Sequence, residues 1–366
     1  MRGIGSFQMW ASITRLWISV TAVFSFSAAL ACSTVAFRNT DQPLLAYNFD
    51  FEATDAGYLL INPIGTSRRS IMEGDAASWT SRFGSITVNQ IGPGMPAAGM
   101  NTAGLVISLM WNREAVYSGR GNAPVVSELE FIQRLLDTSG TVEEALAGID
   151  DVSIRGLVPI HYFLFDASGN AAIVTPGEAG LMLHQGNDLP VPALTNTSYP
   201  NALDHLKNHA APIGAPGVVS DVVSGGAGSL KRFRLAAAAA AQMSEGANST
   251  QAFDVLDDLA TPSTRWQVVF EPVAKRVTLR IAETGRELSL DLAKTDFDCR
   301  DNPLGVNLKG GRTDPSTTGF TPISQEDLSE TMSEVLLSMK STAALGSPEV
   351  VKQLSAGLLA SSVCRR

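Results

Sequence analysis

Apolar positions along the chain fall into short runs of two kinds. Segments 32–38 (CSTVAFR) and 44–51 (LLAYNFDF) are β-rich, and the turn residues Asn39-Thr40-Asp41 between them predict a hairpin. Stretches 84–92, 104–111, 159–166 and 170–176 share that composition. In the last pair, Phe163-Leu164-Phe165 runs into the turn Asp166-Ala167-Ser168-Gly169-Asn170 before Ala171–Val174 resumes the strand pattern. The second kind has helical spacing. Val126–Leu136 is one such segment, and Thr141-Val142-Glu143-Glu144 reads as a capping box that opens another. Ser229–Met243 carries a run of alanines, Ala236–Ala241, that strongly favours helix, and a further helix is expected from about Thr250 to Leu259. Strands return at 265–272 and 276–281. This order suits an α+β core of paired sheets with helices outside, although periodicity alone does not fix it.

Beyond residue 307 the pattern changes. Residues 308–323 (LKGGRTDPSTTGFTPI) are linker-like, and two helices are expected after them, with Ser324 and Ser347-Pro348 as their N-terminal signals. The chain therefore divides into a principal domain, 32–307, and a helical tail, 308–366. The glycine-rich stretch Ser224–Ser229 precedes the alanine helix. It lacks the Lys-Ser/Thr of a phosphate-binding loop and reads as a flexible lead-in.

Composition narrows the function. With 45% hydrophobic and 17% charged residues, the 366-residue chain is globular. A net charge of −9 offers no basic field for phosphates, so no nucleic-acid partner is expected. Three cysteines are too few for a disulfide scaffold. Four histidines without HExxH or CxxC spacing give no reason to expect a metal or another cofactor.

Residues 1–31 read as a secretory signal. Arg2 and Arg15 are their only charges, and the uncharged run Leu16–Ala31 is short for a bilayer span. The run ends Ala29-Leu30-Ala31, the small-x-small pattern at which a signal peptidase cuts, and Cys32 follows. Cleavage there would remove 31 of 366 residues and take the net charge from −9 to −11 through loss of the two arginines. It predicts an exported protein, periplasmic or secreted, with no stable membrane span once the signal is gone. Two fates of Cys32 compete. Ala29-Leu30-Ala31-Cys32 is also a loose lipobox, which would make the chain a lipoprotein that binds acylated ligands without turnover. Alternatively, a cysteine at the chain terminus carries a nucleophile and a general base in one residue. An α-amino group titrating near ~8 can take the proton of a thiol titrating near ~8.5.

Several separated motifs bear on that choice. They are Cys32-Ser33, Asn48-Phe49-Asp50, Thr80–Ser85, Gly99-Met100-Asn101-Thr102-Ala103-Gly104-Leu105, Leu194-Thr195-Asn196, Lys231-Arg232-Phe233-Arg234 and Ser263-Thr264-Arg265-Trp266. In this order, over roughly residues 32–290, the chain resembles the choloylglycine hydrolase family, the penicillin V acylases and bile salt hydrolases. These are N-terminal nucleophile (Ntn) hydrolases. Trp111, after the Gly104-Leu105 strand, makes it look most like the Gram-negative penicillin V acylase branch. The resemblance implies a four-layer αββα sandwich of two antiparallel sheets flanked by helices. It also implies hydrolysis of the linear amide of a small-molecule N-acyl compound, such as penicillin V or an N-acyl homoserine lactone, without a cofactor. It leaves oligomerisation open.

Roles follow from the resemblance residue by residue. Cys32 is the nucleophile that forms a thioester, and Asp50 orients its α-amino group. The Asn196 side chain and the Trp111 backbone N–H receive the oxyanion, with the Trp111 ring lining the acyl pocket. Arg232 sits beside the nucleophile. Asn101 reads as a turn residue only. One position departs from the family: Tyr47 stands where an arginine is usual, just before Asn48-x-Asp50. A neutral phenol cannot lower a thiol pKa as a cation does, which questions the usual substrate range and leaves a catalytically silenced amidase as a further reading. Finally, export predicts that the remaining cysteines, Cys299 and Cys364, pair and tie the tail to the core.

Overall fold

The computed structural model describes residues 31–366 except 39, 52–53, 120, 209–226, 244–246, 301–302, 310–318, 340–341 and 365–366. Residues 1–30 of the stretch expected to be a signal, Asn39 of the first turn, Ser224–Gly226 of the glycine-rich stretch and most of the linker lie outside the described residues.

Two strands with no polar face organise the core. β1 (Ser33–Phe37) and β2 (Leu44–Asp50) are buried at every position and form the expected hairpin. They sit inside a six-stranded antiparallel sheet of order β14-β1-β2-β15-β16-β17. Its other strands are β14 (Ala193–Leu194), β15 (Thr264–Glu271), β16 (Arg276–Ile281) and β17 (Arg286–Asp291). A second, nine-stranded antiparallel sheet runs β13-β12-β11-β8-β7-β6-β3-β18-β19. It is built from β3 (Tyr58–Asn62), β6 (Ser85–Asn89), β7 (Pro96–Asn101), β8 (Val106–Trp111), β11 (Ile160–Phe165), β12 (Ala171–Gly177), β13 (Gly180–Gln185), β18 (Leu304–Asn307) and β19 (Thr321–Pro322). Two small sheets complete the strands described: β20-β4-β5 (Ser362–Cys364, Thr66–Arg69, Ser78–Thr80) and the parallel pair β9 (Val125–Ser127) and β10 (Ser153–Arg155).

The two large sheets face one another across the main apolar core. Polar bonds also join them: Thr34 Oγ1 meets Ser108 Oγ at 2.8 Å, and the Tyr47 hydroxyl donates to Leu109 O at 3.1 Å. Helices α4 (Ala227–Gln242) and α5 (Ser249–Leu259) cover the outer face of the six-stranded sheet. α1 (Glu128–Thr138) covers the nine-stranded one, with α2 (Val142–Ala147) following it and α3 (Tyr199–Asn208) packed on α4. The result is the αββα sandwich, with each sheet hidden on both faces where it matters. That burial explains why its central strands read as unbroken apolar runs.

Local signals were obeyed with one change. The Thr141 hydroxyl caps α2 by accepting the Glu144 N–H, but the Glu144 carboxylate accepts from Gly140 N and not from the cap residue, so the capping box is half formed. Complete boxes occur at Ser127–Glu130 and Asn248–Gln251. Asn101 is the turn residue expected. Its Oδ1 accepts from the N–H groups of Ala103, Gly104 and Leu105, and its Nδ2 donates to Leu136 O and Ser139 O.

The tail helices α6 (Gln325–Ser338) and α7 (Pro348–Ala360) begin at Ser324 and Ser347, whose hydroxyls cap them. Leu328, Met332, Leu336 and Leu358 pack with Tyr58 and Leu60 of β3 in a second apolar cluster. Cys299 and Cys364 are disulfide-bonded, as export predicts. No helix among the described residues is long and apolar enough to cross a membrane.

Candidate active site

Strand register assembles the site. β1 pairs on one side with β2, setting Ser33 opposite Asn48 and Thr34 opposite Tyr47. On its other side it pairs with β14, setting Thr34 opposite Leu194. Cys32, one step before β1, is thereby flanked by the end of β2 and by the segment after β14, the sources of Asp50 and Asn196. Its thiol is buried, with Sγ 3.8 Å from Asp50 O. Burial, reinforced by the Asp50 charge, pushes that thiol up to about 12. The Asp50 backbone, the Tyr47 hydroxyl and the Arg232 charge pull the other way. The described chain keeps Ala31, so the Cys32 nitrogen here is an amide and not a base.

Asp50 owes its setting to a strand irregularity. Between Thr264 and Trp266 the β2–β15 register slips by one residue, which leaves Thr264 directly opposite Asp50. Thr264 Oγ1 donates to Asp50 Oδ1 at 2.5 Å and accepts from Thr261 N at 2.8 Å. Asp50 Oδ2 is buried with no hydrogen-bond partner. Burial raises this carboxyl to about 6, against the opposing pull of Arg232 and then of Thr264.

Arg232 lies in the first turns of α4 and is buried, whereas its neighbour Lys231 is exposed. A guanidinium has only donors, and oxygens surround this one. Nη1 donates to Ala31 O, to Cys32 O at 2.8 Å and to Ser33 Oγ at 2.5 Å. Nη2 donates to Asn196 Oδ1 at 3.0 Å. Since Arg232 must meet the oxygen of the Asn196 amide, the nitrogen faces the other way. Nδ2 donates to Trp111 O at 3.0 Å, across to the nine-stranded sheet. The turn that carries Arg232 is stapled to the Asn196 segment: Ser229 Oγ lies 3.0 Å from Thr195 Oγ1 and accepts from Thr197 Oγ1 at 2.8 Å.

The structure thus brings Cys32, Asp50, Asn196, Arg232, Trp111 and Tyr47 into one buried constellation. Tyr47 stands beside Cys32 without a positive charge, and its own ionisation is driven well above the usual phenol range by burial and then by the charge of Cys32. Arg232 supplies the cation near the thiol. Trp111 is itself buried, with the Arg113 guanidinium 5.0 Å from its ring centroid.

Thr264 and His161 touch the site or its immediate neighbours and were not anticipated as site residues. Thr264 lies inside the Ser263-Thr264-Arg265-Trp266 motif. His161 is the one imidazole in the otherwise apolar and aromatic strand IHYFLF, a signal that marks an unusual position.

The sequence and the fold have counterparts among known proteins. Residues 32–211 match the family model of linear amide C–N hydrolases, choloylglycine hydrolase family. Penicillin V acylase from Agrobacterium tumefaciens has a similar structure, with a TM-score of 0.69 at 22% identity over 80% of this chain and 98% of that one. A variant of conjugated bile acid hydrolase from Clostridium perfringens gives 0.61 at 15% identity over 77% of this chain and 98% of that one. At such identities the structural likeness speaks for the fold. No curated protein sequence matches the chain significantly.

Proposed function

Because the chain belongs to the choloylglycine hydrolase family of linear amide C–N hydrolases, we propose that it cleaves N-acyl amino compounds through a thioester on Cys32. Penicillin V and N-acyl homoserine lactones are representative substrates. The observation that carries this reading is the Arg232 bridge, which holds the Cys32 carbonyl and the Asn196 side chain at once.

The reading requires removal of residues 1–31 and export. The Cys299–Cys364 disulfide fits an oxidising compartment. Processing turns the Cys32 nitrogen into an α-amine, and the unpartnered Asp50 Oδ2 is an acceptor for its ammonium form. The amine takes the thiol proton as sulfur attacks the amide carbonyl, because a thiol held near 12 is not ionised in advance. The tetrahedral oxyanion accepts from the second Asn196 Nδ2 hydrogen and from the Trp111 N–H. Arg232 polarises the Asn196 amide through Oδ1, which strengthens Nδ2 as a donor. The ammonium then protonates the departing amine, and water, deprotonated by the same group, hydrolyses the thioester.

The lipoprotein alternative has to bring Cys32 out of the core to receive a diacylglyceryl group, and its 1% exposure speaks against that. The experiment is a panel of amides, with acyl group and amine varied independently, given to processed protein while intact mass is followed. We expect a free N-terminal Cys32, an acyl adduct on it and amine release. Cys32→Ala should lose all three. Protein with an uncleavable residue ahead of Cys32 should be equally inactive, and full activity in that protein would overturn the N-terminal nucleophile reading.

A further inference from the structure

The proposed oxyanion donors sit on different sheets, Trp111 at the end of β8 and Asn196 just after β14. Besides the Asn196–Trp111 bond, His161 links the segments that carry the two donors. His161 on β11 is fully buried, and Nε2 lies 2.7 Å from Thr195 O, the carbonyl of the peptide that leads into Asn196. Nδ1 lies 3.4 Å from Nδ2 of Asn112, the residue after Trp111. The proton positions follow from the partners. A carbonyl only accepts, so Nε2 carries the hydrogen and Nδ1 the lone pair. Asn112 agrees independently, since its Oδ1 accepts from Glu114 N at 3.1 Å, which turns its Nδ2 donor toward the imidazole. The Asn112 backbone is fixed as well, by its N–H to Pro159 O at 2.9 Å. The bonds run in one direction, from Glu114 N–H through Asn112 and His161 to Thr195 O, so each polarises the next.

We propose that His161 is a positioning residue of the amidase. As a neutral Nε2–H tautomer it clamps the Asn112 and Thr195 segments together and thereby sets the separation of the Trp111 and Asn196 oxyanion donors. The inference rests on the oxyanion reading given above. It also goes beyond a buried histidine that is merely satisfied, because both its partners are sequence neighbours of the proposed donors, one on each sheet. Burial keeps the ring neutral, lowering its ionisation to about 4.

The test compares His161→Leu, which removes both bonds, with His161→Gln, whose amide nitrogen can occupy the place of Nε2. Asn196→Ala is the reference. The probe is penicillin V, or the amide of the panel that wild type turns over fastest, with kcat and KM measured separately. Misplaced oxyanion donors weaken the transition state more than the ground state. We expect His161→Leu to lower kcat roughly 10- to 100-fold with KM within about threefold, and His161→Gln to recover most of the loss. His161→Leu added to Asn196→Ala should cost little more, as expected for residues acting through one interaction. Wild-type kcat in His161→Leu beside an impaired Asn196→Ala would overturn the inference alone. Wild-type kcat in Asn196→Ala would instead overturn the oxyanion reading beneath it. If His161→Leu does not fold, His161→Asn, whose shorter amide falls short of Thr195 O, replaces it. Equal kcat in the Gln and Asn variants would then count against the proposal.

Discussion

A guanidinium taken out of water obliges the fold to supply oxygens in the plane of its fork, and that requirement places the residues around Arg232. Its partners come from the chain leading into β1 and from the segment after β14, so one side chain sets the start of the Cys32 strand and the Asn196 amide in a common frame. Lysine keeps the charge but lacks the planar fork whose Nη1 meets Cys32 O and whose Nη2 meets Asn196 Oδ1. Arg232→Lys is therefore expected to lower kcat about 100-fold or more, measured on the best amide of the panel, while Cys32 remains alkylatable in unfolded protein. His161 makes a separate prediction about stability. Its ionisation is near 6.5 in an unfolded chain and depressed to about 4 by burial in the folded one, so the unfolded state binds the extra proton between those values. The stability it contributes is complete above about 6.5 and is lost as pH falls toward 4, by roughly 3 kcal/mol over that interval. Urea unfolding at pH 7 and pH 4 checks this: His161→Gln should lose less stability on acidification than wild type, and equal losses would contradict it.

At the scale of elements, burial alone did not make a strand legible, since β3 (Tyr58–Asn62) is buried throughout and has no counterpart among the strands expected. β1, β2, β8, β11 and β12 are apolar on both faces and announce themselves as continuous runs, and the capping residues of α6 and α7 announce the tail helices. β7, Pro96–Asn101, has no counterpart among the strands expected from the sequence, since Pro-Ala-Ala-Gly carries no β-branched or aromatic residue. Its small residues answer to a neighbour that local sequence does not reveal. A Cβ on Gly99 would lie 2.6 Å from Thr87 Cγ2 and 2.8 Å from Ile86 O on the paired strand β6. Gly99→Ala should therefore force the β6–β7 ladder apart and cost on the order of 1–3 kcal/mol, read as a fall in the urea midpoint without a change in slope. Site residues divide along the same line. That Cys32, Asp50 and Asn196 come together was legible through ordered motifs, whereas the support that Thr264 gives Asp50 depends on a register slip between strands more than two hundred residues apart.

For the molecule as a whole, the tail is held at several separate points. Its apolar helices cover β3, the Tyr58 hydroxyl donates to Asp327 O at 2.9 Å, and β20 pairs with β4. At the end of that strand Arg68 Nη1 donates to Ser362 Oγ at 2.7 Å while its Nε meets Asp137 of α1 at 2.8 Å, so a buried ion pair reaches the last strand. The disulfide closes a stretch of 65 residues that contains both tail helices. In the unfolded chain that link removes conformations the open chain would sample, which stabilises the fold by about 2–4 kcal/mol for loops of such length. Cys364→Ser should accordingly lower stability by that order, and dithiothreitol should reproduce the loss in wild type but add nothing in the variant. None of the proposed catalytic side chains belongs to the cluster under the tail. Amide turnover at 25 °C is therefore expected to survive the substitution, while α7 becomes the first site of limited proteolysis. Loss of turnover together with an unchanged midpoint would mean that the tail acts on the site itself and is not simply a clasp on the nine-stranded sheet.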